Sequence, residues 1–419
     1  MGEQPVTADP TWSVRRRYFP AVEGMRAIAV LCVLVGHVIL SANIGGDLAT
    51  FADWLAPFGV VIFFGISGFL LYRQFLAARF ASERVGELAP AYLWRRAVRI
   101  LPAYWVALAL ATWWIGWAET FGSHWWVYFG LLQTYDPSWI GGLPIAWSLC
   151  IEASFYLALP FVAWALASRG VGSGNRHGLR WELALIGGIA LLSLAWRIVM
   201  GSRPSTSHLN VNLLGTATWF CSGMLLAVVE VAHPLSLEKL RRWLSRPLIC
   251  WPAAIFFFAL LVLGVHEDLG LPIKAVILLQ TVFYGLAAAL LLAPAIVGDS
   301  GRTVARFAAN PVLVFIGTVS YGIYLWHYSM LGWLDGSSVV LDSPSPVLTL
   351  GVLATAATLA LATASWYLVE KPLMKRAKSV KAFSRVKRGR LELAEAPEGE
   401  PAAAPPPTLA QPTEAGGPS

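Results

Sequence analysis

Residues 22–41 read VEGMRAIAVLCVLVGHVILS, an apolar run that holds three charged or basic side chains, Glu23, Arg26 and His37. A helix rises about 1.5 Å per residue, so about 20 apolar residues cross the hydrocarbon core of a bilayer. The preceding residues include Arg15, Arg16 and Arg17 and contain no apolar segment of the kind found in a cleaved signal peptide. We therefore expect this run to be retained as the first transmembrane helix.

The rest of the chain repeats this pattern. Of 419 residues, 57% are apolar and 13% are charged, and the mean hydropathy is +0.61. Soluble proteins average about 45–50% apolar and about 25% charged residues, so the composition excludes an ordinary soluble enzyme and a disordered chain. The net charge of +7 does not indicate nucleic-acid binding, because Lys and Arg lie between long apolar runs. The chain is predicted to be an all-α polytopic membrane protein.

Hydropathy predicts ten transmembrane helices. They cover residues 22–41, 56–77, 99–118, 144–167, 182–200, 211–231, 248–265, 272–292, 312–333 and 347–369. The segment 121–135, FGSHWWVYFGLLQTY, is apolar but short and rich in aromatic residues, so we expect a re-entrant or interfacial helix there. Counting it as a further span would also break the charge pattern of the loops.

The basic residues set the expected orientation. With the N-terminus inside, 27 of the 31 Lys and Arg residues fall on the inner side, which predicts cytoplasmic termini and a plasma-membrane location. Residues 1–17 form the predicted cytoplasmic N-terminal segment, and residues 18–374 form the ten-helix membrane domain. Residues 375–390 are a basic juxtamembrane segment expected to contact anionic lipid of the bilayer. Residues 391–419, rich in Pro, Ala and Glu, are predicted to be disordered.

Arg26 and His37 are the first ionisable candidates, since such side chains are costly inside a membrane helix. They are eleven residues apart, which places them within about 20° of one helix face and about 16 Å apart along the axis. A lone buried His is most often a structural residue, and Arg26 can extend to the interface. Their shared face favours a functional role, in which a neutral imidazole at His37 acts as general base.

Glu152 is predicted to enter the membrane at the same depth as His37. It lies near the outer end of the fourth span, with Ser148 one turn earlier on the same face. The helix dipole alone favours a Glu at a helix N-terminus. Taken together with His37, however, the carboxylate is expected to orient the imidazole, as in an acid–base dyad.

Arg96 and Arg99 are three residues apart, at a predicted helix start on the inner interface. Guanidinium groups bind phosphates through paired hydrogen bonds, which favours a phosphate site. Basic residues that only set membrane topology explain the pair equally well. The spacing by itself leaves both interpretations open.

Three further side chains are candidate site-lining residues. Ser67 lies in FFGISGFL (63–70), a run that by itself indicates close helix packing. Tyr324 and His327 share a face of the ninth span. An interfacial aromatic belt accounts for the tyrosine equally well, whereas His327 lies deep enough to need a partner. The four Cys residues form no CxxC pair, so no metal site is predicted.

Six motifs follow one another along residues 18–374. They are Arg26–x10–His37, FFGISGFL (63–70), RRAVRILPAY (95–104), WSLCIEASFY (147–156), SYGIYLWH (320–327) and EKP (370–372). Together they resemble the acyltransferase-3 family of integral membrane O-acyltransferases, whose usual core has ten helices. The resemblance implies transfer of an acyl group, most commonly acetyl, from cytoplasmic acyl-CoA to a hydroxyl of a sugar-containing acceptor, such as a surface glycan or a macrolide glycoside.

The resemblance also implies roles for individual residues. Arg26 and His37 match the essential Arg/His pair of the family. Arg96 and Arg99 match its donor-binding RxxR motif, and Glu152 matches the Glu of its WSLxxExxFY motif. Acyl-CoA is implied as a co-substrate and no tightly bound cofactor is implied, while the oligomeric state stays open.

Two questions of mechanism stay open. Some family members carry an extracytoplasmic hydrolase-like domain, and since none follows the membrane core here we expect direct transfer by the core. An acyl-His intermediate is the alternative. A proton-coupled transporter or flippase would also place Arg, His and Glu within ten spans. Against a transporter, the sequence shows no obvious internal repeat and no matching pair of broken helices.

Overall fold

The computed structural model is all-helical. It describes residues 19–42, 44–80, 85–116, 118–136, 142–167, 176–202, 209–231, 237–264, 271–298 and 307–378, and these stretches contain no strand. The predictions for residues 1–17 and 391–419, and for most of the basic segment 375–390, fall outside the described stretches.

Seven helices make up the first half of the described chain. They are α1 (Pro20–Ser41), α2 (Asp47–Phe80), α3 (Val85–Ile115), α4 (Trp125–Phe129), α5 (Ala146–Ala167), α6 (Arg176–Gly201) and α7 (Leu213–Val231). Pro20 opens α1, where its missing N–H costs no helical hydrogen bond and its fixed φ suits the helix.

The second half continues with α8 (Glu238–Leu244), α9 (Pro247–Gly264), α10 (Ile273–Val297), α11 (Pro311–Leu334), α12 (Ser338–Leu341), α13 (Pro346–Ser365) and α14 (Lys371–Lys378). A single π-helical turn, Trp366–Glu370, joins α13 to α14. Asn310 caps α11, since its Oδ1 accepts a hydrogen bond from the backbone N–H of Val312 at 2.9 Å.

Eight of the described helices are long and apolar enough to cross a membrane, and a ninth crossing results if α8 and α9, bent by 71°, count as one span. These nine correspond in order to nine of the ten predicted spans. The remaining prediction, 312–333, forms the 24-residue helix α11. It is not among the helices apolar enough to qualify, because polar Ser, Tyr and His residues interrupt it.

Two helices begin well before their predicted starts. α2 begins at Asp47 rather than near residue 56, and α3 begins at Val85 rather than near residue 99. Arg96 and Arg99 therefore lie within a helix and not in a loop before it, which corrects the predicted helix start. In the region 121–135 only a short 3-10 turn and α4 form, so this segment is not a full span.

Glycines bring α2 and α7 into close contact. A Cβ atom at Gly68 would lie 2.1 Å from the carbonyl oxygen of Phe220, and one at Gly223 would lie 1.8 Å from the carbonyl oxygen of Gly65. Only hydrogen fits at these positions, so the small residues of 63–70 do serve helix packing. α1 meets α11 in the same way, because a Cβ at Gly317 would lie 1.9 Å from the carbonyl oxygen of Glu23.

Two ion pairs fix the C-terminal end of α2. Arg79 pairs with Glu182 of α6; both residues are 3% exposed, and the carboxylate also accepts a hydrogen bond from the Tyr72 hydroxyl. Arg73 Nε donates to a carboxylate oxygen of Glu230 in α7 at 2.7 Å. Buried charges of this kind are tolerated only when paired, so they hold α2 in a fixed position between α6 and α7.

Candidate active site

A cavity of about 70 Å³ lies between α1, α2, α3, α5 and α11. Seven of the nine residues predicted for the site line it, each helix contributing at least one. These seven are Arg26, Ser67, Arg96, Arg99, Ser148, Glu152 and Tyr324. Residues that are up to about 300 positions apart in the sequence therefore meet in one place. We expected Arg96 and Arg99 at the inner interface and Glu152 near the outer end of its span, but all three line this one cavity.

Arg26 is held by α11 and by its own helix. Its Nε and Nη2 atoms donate to the Ser320 hydroxyl at 3.3 and 3.1 Å, and Nε lies 3.6 Å from a carboxylate oxygen of Glu23. The side chain is only 12% exposed. These contacts aim a guanidinium group into the cavity and leave it little freedom to extend to the interface.

The residues that line the cavity include more cations than anions, although Glu23 pairs with Arg26 from outside the lining. Three arginines line it, Arg26, Arg96 and Arg99, against the single carboxylate of Glu152. The guanidinium of Arg96 lies 5.9 Å from the centre of the Tyr156 ring, and its buried Nε has no hydrogen-bond partner among the described residues. Buried guanidinium groups without enough carboxylates are costly, so the cavity is suited to an anionic group such as a phosphate.

Hydrogen bonds that join α2, α5 and α11 form the remaining polar part of the cavity lining. Glu152 of α5 accepts a hydrogen bond from the hydroxyl of Ser67 in α2. One turn earlier in α5, the Ser148 hydroxyl lies 2.7 Å from the hydroxyl of Tyr324, which also donates to the carbonyl oxygen of Ile145 at 3.1 Å. The i, i+4 pair of Ser148 and Glu152 thus faces one cavity, as its spacing predicted.

His37 and His327 form a pair beside the cavity rather than within its lining. His37 Nδ1 lies 2.9 Å from the Val33 carbonyl oxygen and 3.3 Å from His327 Nε2. His327 is fully buried, and its Nδ1 lies 2.8 Å from the carbonyl oxygen of Tyr324. Its ring centre is 5.7 Å from that of Tyr324, which connects the pair to the cavity.

The carbonyl contacts assign the tautomers of this pair. A ring nitrogen beside a carbonyl oxygen must carry a proton, so both Nδ1 atoms are N–H donors. His327 Nε2 then holds a lone pair and shares the single His37 Nδ1–H with the Val33 carbonyl oxygen, as the more distant of two acceptors. The remaining nitrogen, His37 Nε2, is left with a free lone pair. The pair is therefore arranged so that His37 can act as a base.

The partner of His37 differs from the sequence prediction. The dyad expected from the sequence joined His37 to Glu152, whereas the imidazole contacts His327 and Glu152 accepts from Ser67. The shared face of Arg26 and His37 is nevertheless observed, because both side chains contact α11. Helical periodicity determines the face of the helix on which a side chain lies. It does not determine the depth at which the partner side chain of a neighbouring helix lies.

Sequence reasoning missed several residues of the site. Ser320, Tyr321 and Tyr156 also line the cavity, and the Tyr321 hydroxyl donates to the carbonyl oxygen of Ile100 at 2.8 Å. The i, i+4 spacing of Ser320 and Tyr324 is a signal that would have found the first of them. Among the described residues there is no cluster of three His, Cys, Asp or Glu able to hold a metal ion.

Comparisons with known proteins identify relatives of this chain. The chain is 26% identical over 387 residues to the peptidoglycan O-acetyltransferase OatA of Listeria monocytogenes, covering 86% of this chain and 56% of the relative. It is 25% identical over 393 residues to the O-acetyltransferase OatA of Staphylococcus aureus, covering 89% of this chain and 60% of the relative. The chain thus spans well under two thirds of the length of these relatives. No solved structure matches it.

A family model described as an acyltransferase domain matches residues 19–367. The match begins at the first described residue, extends through the last long helix and contains all nine residues predicted for the site. Since it spans most of the chain, and since the named relatives are O-acetyltransferases, the chain belongs to the acyltransferase-3 family.

Proposed function

We propose that this protein transfers an acyl group, acetyl in the first place, from cytoplasmic acyl-CoA to a hydroxyl of a sugar-containing acceptor. The observation that carries the proposal is the excess of three arginines over one carboxylate in a cavity among membrane helices. Charged side chains in such a place are costly, and a bound anionic donor would offset that cost. The names of the relatives support acetyl as the acyl group and a glycan as the acceptor.

The proposed orientation has both termini in the cytoplasm and the protein in the plasma membrane. The concentration of Lys and Arg in alternate loops supports it. In this orientation, the N-terminal part of α3 that precedes Arg96 and Arg99 is cytoplasmic. The donor therefore reaches the arginines from the side of the membrane where acyl-CoA is found.

Arg96 and Arg99 bind the phosphates of the donor in this proposal. They lie one turn apart in α3, so their guanidinium groups can engage one phosphate or pyrophosphate together. Arg26 adds a third cation to the same cavity, and its bonds to Ser320 keep it in place. The thioester then extends from the arginines toward Ser148 and Tyr324, at the other end of the lining.

His37 Nε2 removes the proton of the acceptor hydroxyl in the transfer step. The hydroxyl oxygen forms a bond to the thioester carbonyl carbon, the carbon–sulfur bond breaks, and the CoA thiolate leaves with the bonding electrons. The imidazolium returns its proton to the thiolate, which restores neutral His37. His327 supports this role as a positioning residue, because its Nε2 accepts from His37 Nδ1–H and keeps the lone pair on the reacting nitrogen.

Release of CoA thiol tests the proposal. Purified protein in lipid nanodiscs is incubated with acetyl-CoA or longer acyl-CoAs and a glycan-extract acceptor pool. The expected result is release that requires the acceptor and falls about 100-fold or more in His37→Ala. His124→Ala, at an exposed histidine outside the long helices, is the matched control and retains activity.

The opposite outcome identifies the rival function. If folded protein releases no CoA with any donor and acceptor, while proteoliposomes show proton flux, the transporter or flippase interpretation replaces the transferase. Full transfer by folded His37→Ala would rule out His37 as the base while leaving the family's chemistry in place.

A further inference from the structure

A second and larger cavity, of about 560 Å³, lies at the N-terminal ends of α2, α5, α7 and α10 and the C-terminal end of α6. In the proposed orientation these ends face outward. Its principal lining residues are Trp54, Trp147, Arg197, Asn210, Trp219 and Tyr284. The volume falls in the usual range of small-molecule sites, about 300–1,000 Å³.

The aromatic side chains of this outer cavity are held in fixed positions. The indole N–H of Trp219 donates to the carbonyl oxygen of Thr281 at 3.0 Å, and the Tyr284 hydroxyl donates to that of Trp54 at 2.9 Å. The ring centre of Tyr284 lies 6.0 Å from that of Trp54 and 6.2 Å from that of Trp219. The three rings form a preorganised wall, which a ligand meets without paying to order it.

Arg197 and Asn210, which line this cavity, each hold one buried polar atom without a hydrogen-bond partner among the described residues. Arg197 is anchored by a hydrogen bond from Nη1 to the Gly215 carbonyl oxygen at 3.2 Å and lies 4.6 Å over the Trp219 ring. Its Nε, a donor, and the Oδ1 of Asn210, an acceptor, have no hydrogen-bond partner within the described stretches of the chain. Buried polar atoms are normally paired, so an unpaired donor and an unpaired acceptor on two lining residues of one cavity are consistent with a ligand that supplies both partners.

The two cavities share one side chain. Val60 of α2 lines the arginine-rich cavity and the outer cavity alike, and it is only 5% exposed. The neighbouring residues Trp147 and Ser148 of α5 line the outer and the inner cavity respectively. A group bound in the outer cavity is therefore next to the place where the donor is expected to present its thioester.

We propose that the outer cavity binds the saccharide part of the acceptor. A sugar ring packs its C–H faces on fixed aromatic rings and presents hydroxyls that donate to Asn210 Oδ1 and accept from Arg197 Nε. A lipid chain would leave both polar atoms unpaired. The assignment rests on the proposed function, because it takes the acceptor hydroxyl to approach the donor from the opposite side of the membrane, past Val60.

Binding without donor tests this site. Protein in nanodiscs is titrated by calorimetry with chitohexaose and with erythromycin, a glycosylated macrolide, and separately with CoA. Wild type is expected to bind at least one saccharide probe. Asn210→Leu is expected to lower that affinity about tenfold or more, because the buried acceptor is lost, and to leave CoA affinity unchanged.

A second variant protects the test against misfolding. Val211 is 37% exposed at the rim of the same cavity, so Val211→Trp fills the space from a position that tolerates bulk. It should also abolish saccharide binding and preserve CoA binding. Arg96→Ala should show the reverse pattern.

The assignment is overturned if wild type binds neither probe, or if Asn210→Leu and Val211→Trp both bind saccharide as wild type does. These results are independent of catalysis, since no donor is present. If the protein binds saccharide here but never releases CoA, the proposed function is refuted and the saccharide site is retained. If the protein is an active transferase but both variants bind saccharide as wild type does, the saccharide site is refuted and the proposed function is retained.

Discussion

His37 Nδ1 lies 3.3 Å from Nε2 of His327, a residue 290 positions further along the chain. The Val33 and Tyr324 carbonyl oxygens on either side of this contact assign the protons of both rings. The consequence is that His37 presents one unprotonated nitrogen, Nε2, away from its partner. This tautomer control needs no carboxylate, which distinguishes it from the Ser-His-Asp arrangement.

The contact between His37 and His327 predicts a smaller loss of activity for His327→Ala than for His37→Ala. His327→Ala should lower kcat about 10- to 100-fold, because His37 Nδ1 keeps the Val33 carbonyl oxygen but loses its second acceptor, and the ring loses the support of the buried imidazole. The KM for acyl-CoA should not change, since His327 does not line the arginine-rich cavity. Steady-state kinetics in nanodiscs give both values. A rise in KM at constant kcat would mean that His327 contributes to donor binding and not to orientation.

The arginine pair predicts a donor-specific defect. Arg96→Ala and Arg99→Ala should each raise the KM for acyl-CoA about tenfold or more, since charge-assisted hydrogen bonds contribute about 1.5–3 kcal/mol. Arg95→Ala, at the adjacent residue outside the cavity lining, is the matched control and should keep its KM. An equal effect on KM in all three variants would mean that these arginines only set the membrane topology.

The shared wall at Val60 predicts loss of transfer without loss of binding. Val60→Phe should thicken the wall between the two cavities and lower kcat by about tenfold or more, because the reacting groups are kept apart. The affinities for CoA and for saccharide should stay near those of wild type. Val60→Ala should retain transfer. Unchanged kcat in Val60→Phe would show that the acceptor reaches the donor by another route.

Helix packing predicts opposite outcomes for two glycines. Gly223→Ala should lower the free energy of unfolding by about 1–3 kcal/mol, because its methyl group would meet the Gly65 backbone. Gly187→Ala, in α6, has no atom within 4 Å of its added Cβ and should be neutral or stabilising by up to about 1 kcal/mol. Tm measurements on both variants check this, and equal Tm values would contradict the close approach of α2 and α7.

The ion pair of Arg79 and Glu182 predicts a rescue. Glu182→Leu alone should destabilise the protein by about 3–5 kcal/mol, because it leaves a buried guanidinium unpaired. Arg79→Met combined with Glu182→Leu should recover most of that loss, since neither charge remains. Thermal unfolding of the single and double variants measures the coupling. If the double variant is no more stable than the single one, the pair holds α2 by more than charge neutralisation.

The order of the long helices could be predicted from the sequence, because helices that cross a bilayer need apolar runs that match the thickness of its hydrocarbon core. Their ends could not be predicted as well. α3 extends toward its N-terminus as far as Val85, past Arg96 and Arg99, where polar residues lower the hydropathy while the backbone stays helical. α11 shows the converse, since its Tyr324 and His327 are buried between helices and are not selected for contact with lipid.

The candidate site was predictable where one helix carries two of its groups at helical spacing. Ser148 with Glu152 and Arg96 with Arg99 are such pairs, and both line one cavity. The partner of His37 was not predictable, because depth depends on how α1 and α11 are staggered. The outer cavity was even harder to predict from the sequence. Arg197 and Asn210 come from different segments, and each alone is an ordinary polar residue near a helix end.

The single residue Val60 between two cavities has a consequence for the membrane as a barrier. Narrow apolar constrictions stay free of water and so resist the passage of ions. Under the proposed function, the acyl group alone would pass this valine, while CoA and the acceptor would each stay on their own side of the membrane. A membrane that holds this protein in the proposed orientation would then keep its proton gradient through each turnover.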